Sequence, residues 1–461
     1  MGGIALVDAA LVLAGGRGER AWPLTATIYK PLLQLPGNES ILSRLVRQVS
    51  RLAKRVYVLV PPGATEEFKK HLDSYGFTNV VVVEQQPYEN GGYGSGAAVR
   101  QLLEVVPDID SVLIVHGDTV IHDSVIDDLV KLAENREWGL VGFRTNRNGK
   151  RYGVIVADGS RVKRIVEKPG WSGEVVANAA IYLLPARLVR EAVMNIGISE
   201  RGEIEFPDAV NLVAKRLEDE GKWLRLLLIR EEHRIDVGPW WEYLLASRMV
   251  LDWLVESGCR AEGNIAYNVI VKGVVCGEGF EVEGPSVLEG PIWLGRNARV
   301  GPFTHLRKYT ILYDDVQVGA FVEIKGSVLM ERTVARHHAY IGDSVVGPRS
   351  NIAAGTVFAN LRHDNATVRS CAGGRVRNTG LRKLGAVLGE GVKTGVNSSI
   401  MPGARIGPCS WIEPGAVVRG DVPSCSFYRR DGEIVDIREA VANCCRGVRG
   451  GRGYGLCTKP E

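Results

Sequence analysis

Residues 11–31, LVLAGGRGERAWPLTATIYKP, run from an apolar segment through a cluster of glycines to two cations. Leu11-Val12-Leu13 reads as a buried strand. Ala14-Gly15-Gly16 ends it, and Gly18 follows. With no Cβ in the way, the backbone N–H groups of such a turn come close to a phosphate. Arg20 and Lys30 add fixed positive charge to the same stretch. This is the chemistry of a phosphate loop, although a plain turn with left-handed backbone also selects glycine. The spacing matches neither G-x-x-x-x-G-K-[ST] nor the full G-x-G-x-x-G pattern.

Further clusters follow in order. Gln85-Gln86-Pro87 leads to Tyr93-Gly94-Ser95-Gly96, where an amide beside a glycine turn could read the edge of a base. His116-Gly117-Asp118 sets a carboxylate at the end of an apolar run, a natural position for a Mg²⁺ ligand. Gly153, Glu167-Lys168-Pro169 and Asn178 offer groups suited to sugar hydroxyls and, in Lys168, to a phosphate. Arg234-Ile235-Asp236-Val237-Gly238 supplies a second carboxylate, and two carboxylates with substrate phosphates can hold Mg²⁺. Taken singly, each cluster has a plain alternative as a capped turn or a solvated surface pair.

The elements that must position these groups alternate. Val56–Val60, Val80–Val83 and Val112–Val115 are strand candidates, and 41–55, 65–75 and 124–134 carry apolar residues at helical spacing. That rhythm predicts an α/β sheet of parallel strands. Ligands in such sheets sit beyond the carboxyl ends of the strands, where the glycine turn and the later clusters fall.

With these residues in order, 11–238 resembles the sugar-1-phosphate nucleotidylyltransferases. The pattern L-A-[AG]-G-x-G-x-R…K-P is present from Leu13 to Pro31, and the Gly-Asp, Glu-Lys-Pro, Asn-x-[AG]-x-Tyr and D-x-G elements follow in order. The resemblance implies a Rossmann-like domain over 1–238. It puts Leu13, Ala14, Gly15, Gly16 and Gly18 on a nucleoside triphosphate, with Gln86, Gly94 and Ser95 near the base. Arg20 and Lys30 would neutralise phosphates, and Asp118 and Asp236 would hold Mg²⁺. Gly153, Glu167 and Asn178 would face the sugar, and Lys168 its phosphate. Arg234 with Ile235 stands where the family often has an aromatic. A sugar-1-phosphate oxygen would attack the α-phosphorus and release pyrophosphate, a reaction of positioning and charge neutralisation. The attacking phosphate is already ionised and needs no base.

Residues 239–258, PWWEYLLASRMVLDWLVESG, predict an amphipathic linker helix with Trp241, Leu244, Leu245, Leu251 and Leu254 on one face and Gly258 as its stop. Beyond it the period changes. Ile270, Cys276, Val282, Leu288, Leu294, Val300, Leu306, Leu312, Val318, Ile324 and Met330 recur every six residues. Small or β-branched residues such as Ser286, Thr304 and Val316 stand four positions after many of them. Neither a helix nor a simple strand sustains six, whereas a hexapeptide β-helix points every sixth side chain inward. Tyr340, Val346, Ile352 and Phe358 resume the period in a new phase, and Ile400, Ile406, Ile412 and Val418 continue it. Residues 331–342 and the basic stretch 359–383 interrupt it.

This second half also resembles a known family, the acetyltransferase half of bifunctional sugar-1-phosphate nucleotidylyltransferase/acetyltransferases of the N-acetylglucosamine-1-phosphate uridylyltransferase type, including its archaeal branch. Arg307, Lys325, His337-His338-Ala339-Tyr340-Ile341-Gly342-Asp343, Asn351 and Asn360 carry the likeness. It implies a left-handed β-helix over 259–430 that assembles as a trimer, with sites between neighbouring subunits. His337 would take the proton of a sugar amine attacking the acetyl-CoA thioester, work suited to a histidine. Arg307, Lys325 and Asn351 would hold the sugar phosphate, and Tyr340 and Asn360 would orient the amine or thioester. Ala354, Gly385 and the stretch 384–418 would line the acetyl-CoA groove.

Length and composition bound the rest. A chain of 461 residues exceeds one core. A net charge of +4 gives no argument for nucleic acid, and no apolar run reaches the ~20 residues that span a membrane. None of the eight cysteines forms C-x-x-C, so a mostly reduced, cytoplasmic chain without a zinc site is expected. Residues 431–461, rich in glycine and arginine, predict a flexible tail with no role for its three cysteines. The leading expectation is an enzyme that acetylates glucosamine-1-phosphate or galactosamine-1-phosphate and joins the product to UTP or dTTP. The alternative keeps only nucleotidyl transfer, with the β-helix as an assembly or regulatory module.

Overall fold

The computed structural model describes residues 6–86, 93–146, 151–450 and 455–457. They form two compact units, one of residues up to Arg17 with Ile41–Asp236, the other of Gly18–Ser40 with Val237 onward. The division falls inside the glycine-rich loop. Among the described residues no helix is long and apolar enough to cross a membrane.

The first unit is mixed α/β. Its strands are β1 (Val7–Leu13), β2 (Ala53–Val60), β3 (Val80–Glu84), β4 (Ser111–His116), β5 (Thr119–Ile121), β6 (Gly139–Thr145), β7 (Val154–Asp158), β8 (Arg161–Val166), β9 (Val175–Pro185), β10 (Arg225–Ile229) and β11 (Arg234–Asp236). Nine of them make one sheet in the order β3-β2-β1-β4-β9-β6-β10-β8-β7, and β5 pairs with β11 apart from it. The strands β3, β2, β1 and β4 are parallel. The expectation of an all-parallel sheet fails at β9, which runs antiparallel to both β4 and β6. Helix α1 (Ile41–Val49) is shorter than its apolar pattern, because Ala53 already starts β2. Helices α2 (Thr65–Asp73), α3 (Ser95–Val105) and α4 (Asp123–Glu134) follow, then α5 (Ala186–Met194) and α6 (Phe206–Asp219). Val99, Leu102, Val189, Phe206 and Val210 pack with the sheet residues Leu11, Ile114 and Tyr182 in one core.

The second unit begins its C-terminal part with α7 (Trp240–Glu256), the helix that 239–258 predicted, and Gly258 beyond it takes left-handed backbone. Long parallel sheets follow, of twelve and eight strands. Each strand pairs with its counterpart one rung further along, as Val287 with His305 and His305 with Glu323. Three steps of the sequence period thus complete one rung. From Cys276 to Met330 the periodic residues are all buried. The small residues between them fill the corners, where the Ser286, Thr304 and Thr310 hydroxyls donate to backbone carbonyls.

Two positions depart from the pattern. Ile270 is 56% exposed, because it pairs with the half-buried Val287, whereas the core residue Leu288 pairs with Val271. Tyr340 is half-buried and Ile341 is the core residue. Ile324 pairs with Ile341, whereas a full rung would have paired it with Gly342. This rung, which also buries Ala335, is therefore shorter by one position, and the phase shifts with it.

The cysteines overturn the expectation of a mostly reduced chain. All eight are paired, as Cys259–Cys276, Cys371–Cys457, Cys409–Cys444 and Cys425–Cys445. Three of these bonds fasten the C-terminal segment, two to the coils and one to the excursion 359–383. Where composition predicted a flexible tail from 431, Ile434–Asp436 adds a strand and Ala442–Cys445 a short helix.

Candidate functional site

In the first unit, strand register builds the loop. Leu13 ends β1 beside Leu59 and His116, and the Gly117 N–H donates to the Leu13 carbonyl at 2.9 Å. The Ala14 N–H donates to Leu59. A Cβ on Gly117 would lie 2.7 Å from Ala14 Cβ, so glycine lets these two turns touch. Gly15 faces the Gln85 side chain, whose Oε1 would be 2.2 Å from a Cβ there. At Gly16 a Cβ would meet no described atom within 4 Å, and its φ is not left-handed. Gln86 instead turns to the Glu84 carbonyl, 3.4 Å away. Gln85 is thus a residue that sequence reasoning passed over for its neighbour. Its N–H continues the ladder of β3 onto Val60, which fixes which of the two amides faces Gly15.

Gly94 and Ser95 have firm local tasks. Gly94 has φ +128° and passes so close to the Ile204 carbonyl that a Cβ would lie 2.3 Å from it. The Ser95 hydroxyl accepts the Phe206 N–H at the start of α6 (3.0 Å). Residues 87–92 between them and Gln86 lie outside the described residues.

Gly153, Glu167 and Asn178 are gathered as the sequence suggested. A Cβ on Gly153 would lie 2.6 Å from Glu167 Oε2 and 3.7 Å from Asn178 Cβ. The Asn178 amide donates to Tyr182 OH (2.6 Å) and accepts the Ala180 N–H (3.0 Å), so it is held in one orientation. Lys168 Nζ is 3.3 Å from Glu167. Arg201, unforeseen, reaches the same carboxylate at 3.4 Å and pairs with Glu205. Burial pushes the Glu205 carboxyl up, but the Arg201 and Ser199 hydrogen bonds outweigh it and hold it below the usual range.

Asp118 lies in the turn just before β5, and Asp236 ends β11, which pairs with β5. Asp236 pairs with Thr119 across β11 and β5, and Thr119 Oγ1 donates to Asp236 Oδ1 at 3.0 Å. Arg234 donates to the same oxygen. Its side chain is 2% exposed, with the guanidinium 4.7 Å from the Phe143 ring centre and 6.0 Å from that of Tyr152. The residue that replaces an aromatic thus stacks on two aromatics and tethers Asp236.

In the second unit, Arg20 and Lys30 belong to single turns, Glu19–Ala21 and Lys30–Leu32. Gly18 takes φ +74° at the entrance, where Thr25 Oγ1 donates to its carbonyl. Arg20 is exposed, and its guanidinium lies about one van der Waals contact above Gly238. Lys30 is 8% exposed.

On the coils, Arg307, Lys325 and Gly342 follow one another on successive rungs. Lys325 Nζ is 3.6 Å from Asp343 Oδ2. Asn360 Nδ2 donates to the same Asp343 oxygen (2.6 Å) and to Tyr340 OH (3.3 Å). Arg307 pairs with Glu323 at 2.8 Å, and Glu323 is the register partner of Tyr340. Asp343, 4% exposed with φ +47°, is the hub of this cluster. Burial and then the Asp343 and Glu323 carboxylates push the Tyr340 phenol up, so its proton stays on.

His337 lies one corner away. It ends the strand Val334–His337 of the twelve-stranded sheet, whereas Tyr340 begins a strand of the eight-stranded one. His337 is exposed, and so is the Asn351 side chain. Gly385 is buried, its N–H donates to the Asp343 carbonyl, and Ser344 and Gly342 crowd it. Ala354 is half-buried and accepts from the Asn397 N–H.

Arg248 of α7 is the other group that sequence reasoning missed. Its Nη2 lies 2.7 Å from Asp343 Oδ1 and also donates to the Gly326 carbonyl. The available signal was a charge within the apolar stripe that runs from Trp241 through Leu244 and Leu245 to Leu251.

Comparison with known proteins agrees with both halves. Residues 9–252 match the family profile described as nucleotidyl transferase. A bifunctional sugar-1-phosphate nucleotidylyltransferase/acetyltransferase of Sulfurisphaera tokodaii is 34% identical over 432 residues, covering 91% of this chain and 99% of that protein. The bifunctional protein GlmU of Methanocaldococcus jannaschii is 32% identical over 92% of this chain and 98% of its own. The protein of the same name in Acinetobacter baumannii is 24% identical over 91% and 95%.

Proposed function

The chain belongs to the nucleotidyl transferase family, and from that premise we propose a bifunctional enzyme that acetylates an amino-sugar-1-phosphate and then transfers a nucleotide to the product. The observation that carries the second activity is the cluster around Asp343. Lys325, Asn360 and Tyr340 converge there beside Arg307, next to a corner that presents His337.

For nucleotidyl transfer, Leu13 to Gly18 would wrap the triphosphate, and Arg20 and Lys30 would neutralise it. Gly16 supports this reading, since neither a neighbour nor left-handed backbone requires glycine there, whereas an approaching phosphate would. Gln85 is better placed than Gln86 to meet a nucleotide over Gly15. Glu167, Lys168, Asn178 and Gly153 would take the sugar-1-phosphate. Asp118 and Asp236 suit Mg²⁺ as two carboxylates, one in the turn that leads into β5 and the other on β11, the strand paired with β5. When bound, Mg²⁺ would supply charge neutralisation on the triphosphate.

For acetyl transfer, His337 would accept the amine proton as nitrogen attacks the thioester carbon, and CoA would leave as the thiol. Arg307 and Lys325 would hold the phosphate, and the Tyr340 hydroxyl would donate throughout. We read the coils as a left-handed β-helix that assembles as a homotrimer. Phe303 and Phe321 support this, being 52% and 64% exposed and stacked at 5.4 Å, with His338 against Phe321. A neighbouring coil would cover that ladder and bring an exposed His337 into an enclosed site. We place the enzyme in the cytoplasm.

The test is one preparation with two readouts. Glucosamine-1-phosphate and acetyl-CoA should release thiol, and N-acetylglucosamine-1-phosphate, UTP and Mg²⁺ should release pyrophosphate. His337→Ala should lose the first by about 10²-fold or more and keep the second. Thiol release unchanged by the substitution would remove His337 from the reaction, and no thiol release by wild type would remove acetylation.

A further inference from the structure

Two stretches that neither reaction uses, residues 369–378 of the excursion and the tail beyond 430, meet on the segment that carries Arg20 and Lys30. The excursion folds as a hairpin, Arg369–Ala372 with Arg375–Asn378. At its tip a Cβ on Gly373 would lie 3.4 Å from Arg20 Cγ. Just before the tip, the Ser370 hydroxyl accepts from Trp240 Nε1 at 3.1 Å.

The tail is tied at both ends. Cys444 and Cys445 are bonded to the coil residues Cys409 and Cys425, and Cys457 is bonded to Cys371 of the hairpin. Among the described residues between these anchors, Arg449 and Gly455 touch the segment. Arg449 donates from its backbone N–H to the Ala26 carbonyl at 2.7 Å and sets its guanidinium 3.8 Å from the centre of the Tyr29 ring. Tyr29 is the residue before Lys30. Gly455 has φ +74° and lies against Trp22, where a Cβ would come within 2.8 Å of the indole. Trp22 is wholly buried, with the Arg405 guanidinium 4.6 Å from its ring. Arg405 in turn is held by Asp421 and donates to the Gly455 carbonyl at 2.9 Å, and Asp421 also accepts the Cys457 N–H.

Short turns such as Glu19–Ala21 and Lys30–Leu32 have little structure of their own to fix two long cationic side chains. A cation over an aromatic ring, a backbone hydrogen bond and a covalent anchor supply what the turns lack. We propose that Arg449 and Gly455–Cys457 form a strap that positions the Arg20–Lys30 segment for nucleotidyl transfer, with Arg449 and Gly455 as positioning residues and the Cys371–Cys457 bond as the buckle. The proposal rests on the reading that Arg20 and Lys30 act on the triphosphate. It makes the C-terminal end of the acetyltransferase half a determinant of the other reaction.

The experiment measures pyrophosphate release and formation of the acetylated sugar in the full chain. Its variants are Arg449→Ala, Arg449→Lys and the double substitution Cys371→Ser with Cys457→Ser. Arg449→Ala and the double variant should lose on the order of tenfold to a hundredfold in kcat/KM for the nucleotide, while acetyl transfer stays within about twofold. Arg449→Lys, which keeps a cation for Tyr29, should recover most of the loss. A parallel fall of both activities would overturn the strap in favour of a general role in folding, and unchanged pyrophosphate release would overturn it outright. Absence of pyrophosphate release from wild type would instead sink the nucleotidyl-transfer reading on which it stands.

Discussion

Arg248 and Asp343 meet at 2.7 Å, a helix guanidinium against a coil carboxylate that is 6% exposed. The same carboxylate holds Lys325 and Asn360, so α7 helps to set the geometry of the cluster proposed for acetyl transfer. Arg248→Met keeps the stem and removes the charge. It should cost about 2 kcal/mol, because a buried acceptor loses a charged donor. Acetyl transfer should fall more than pyrophosphate release. Calorimetric melting together with the two assays checks this, and equal losses in both activities would contradict it.

Gln85 and Gln86 offer a clean comparison. Gln85→Ala removes the amide that stands over Gly15, whereas Gln86→Ala removes one turned to its own strand. The nucleotide KM should rise several-fold in the first and stay near wild type in the second. The reverse ranking in a steady-state titration of UTP would return the base-side role to Gln86.

Gly117→Ala probes the contact between the two turns. The new methyl would lie 2.7 Å from Ala14 Cβ and 3.0 Å from its Cα, so one turn must move. A displacement of a few tenths of an ångström in a phosphate loop is expected to lower nucleotidyl transfer by tenfold or more, on the order seen for small misplacements. Acetyl transfer is the internal control. Wild-type rates of pyrophosphate release in this variant would show that Ala14 can yield freely.

The pH dependence of the first unit follows from Glu205. Burial raises its carboxyl, and the Arg201 and Ser199 hydrogen bonds lower it by more, so the native group titrates below 4.5. Below that value the unfolded chain binds a proton that the native one does not. The stabilisation is therefore complete above about pH 4.5 and is lost as pH falls through the native value. Glu205→Gln should flatten the loss of melting temperature between about pH 5 and pH 3. An unchanged slope would mean that Arg201 and Glu205 separate before the unit unfolds.

Much of this was legible in the sequence because the coils and loops obey strong local rules. Every residue of the six-residue period from Cys276 to Met330 is buried, although Leu329 and not Met330 pairs with Leu312. The period fails at Ile270, where Val271 takes the register position of Leu288, and at Tyr340, where a rung falls short by one position. The ordered glycines and carboxylates of the first unit also stand where strand ends predict. What stayed hidden depends on pairings between distant residues. Which of two adjacent glutamines faces Gly15 is decided by the ladder of β3 onto β2, and the antiparallel course of β9 by partners far away in the chain. Arg248 was hidden by its helix, since a charge in an apolar stripe has meaning only once Asp343 is seen beneath it. The disulfides show the same limit. Cys259 and Cys276 are separated by 17 positions, one rung, and could have been foreseen. Cys371 and Cys457 are separated by 86 and could not.

The regular step of the coils also bears on the order in which the chain acquires its structure. Most rungs close on the one laid down immediately before, so they can form in sequence as the chain lengthens, each on a finished template. On all three faces one rung is different. Val345 waits for Val387, Asn351 for Lys393 and Val357 for Ser399, because the hairpin excursion intervenes each time. Loop closure grows only slowly with length, so the delay adds less than about 1 kcal/mol to the closing of that rung. Everything C-terminal to it nevertheless depends on that closure for its template. Growth of the stack is therefore divided into an early half, which contains His337 and Tyr340, and a late half, which completes the ground beneath Arg20.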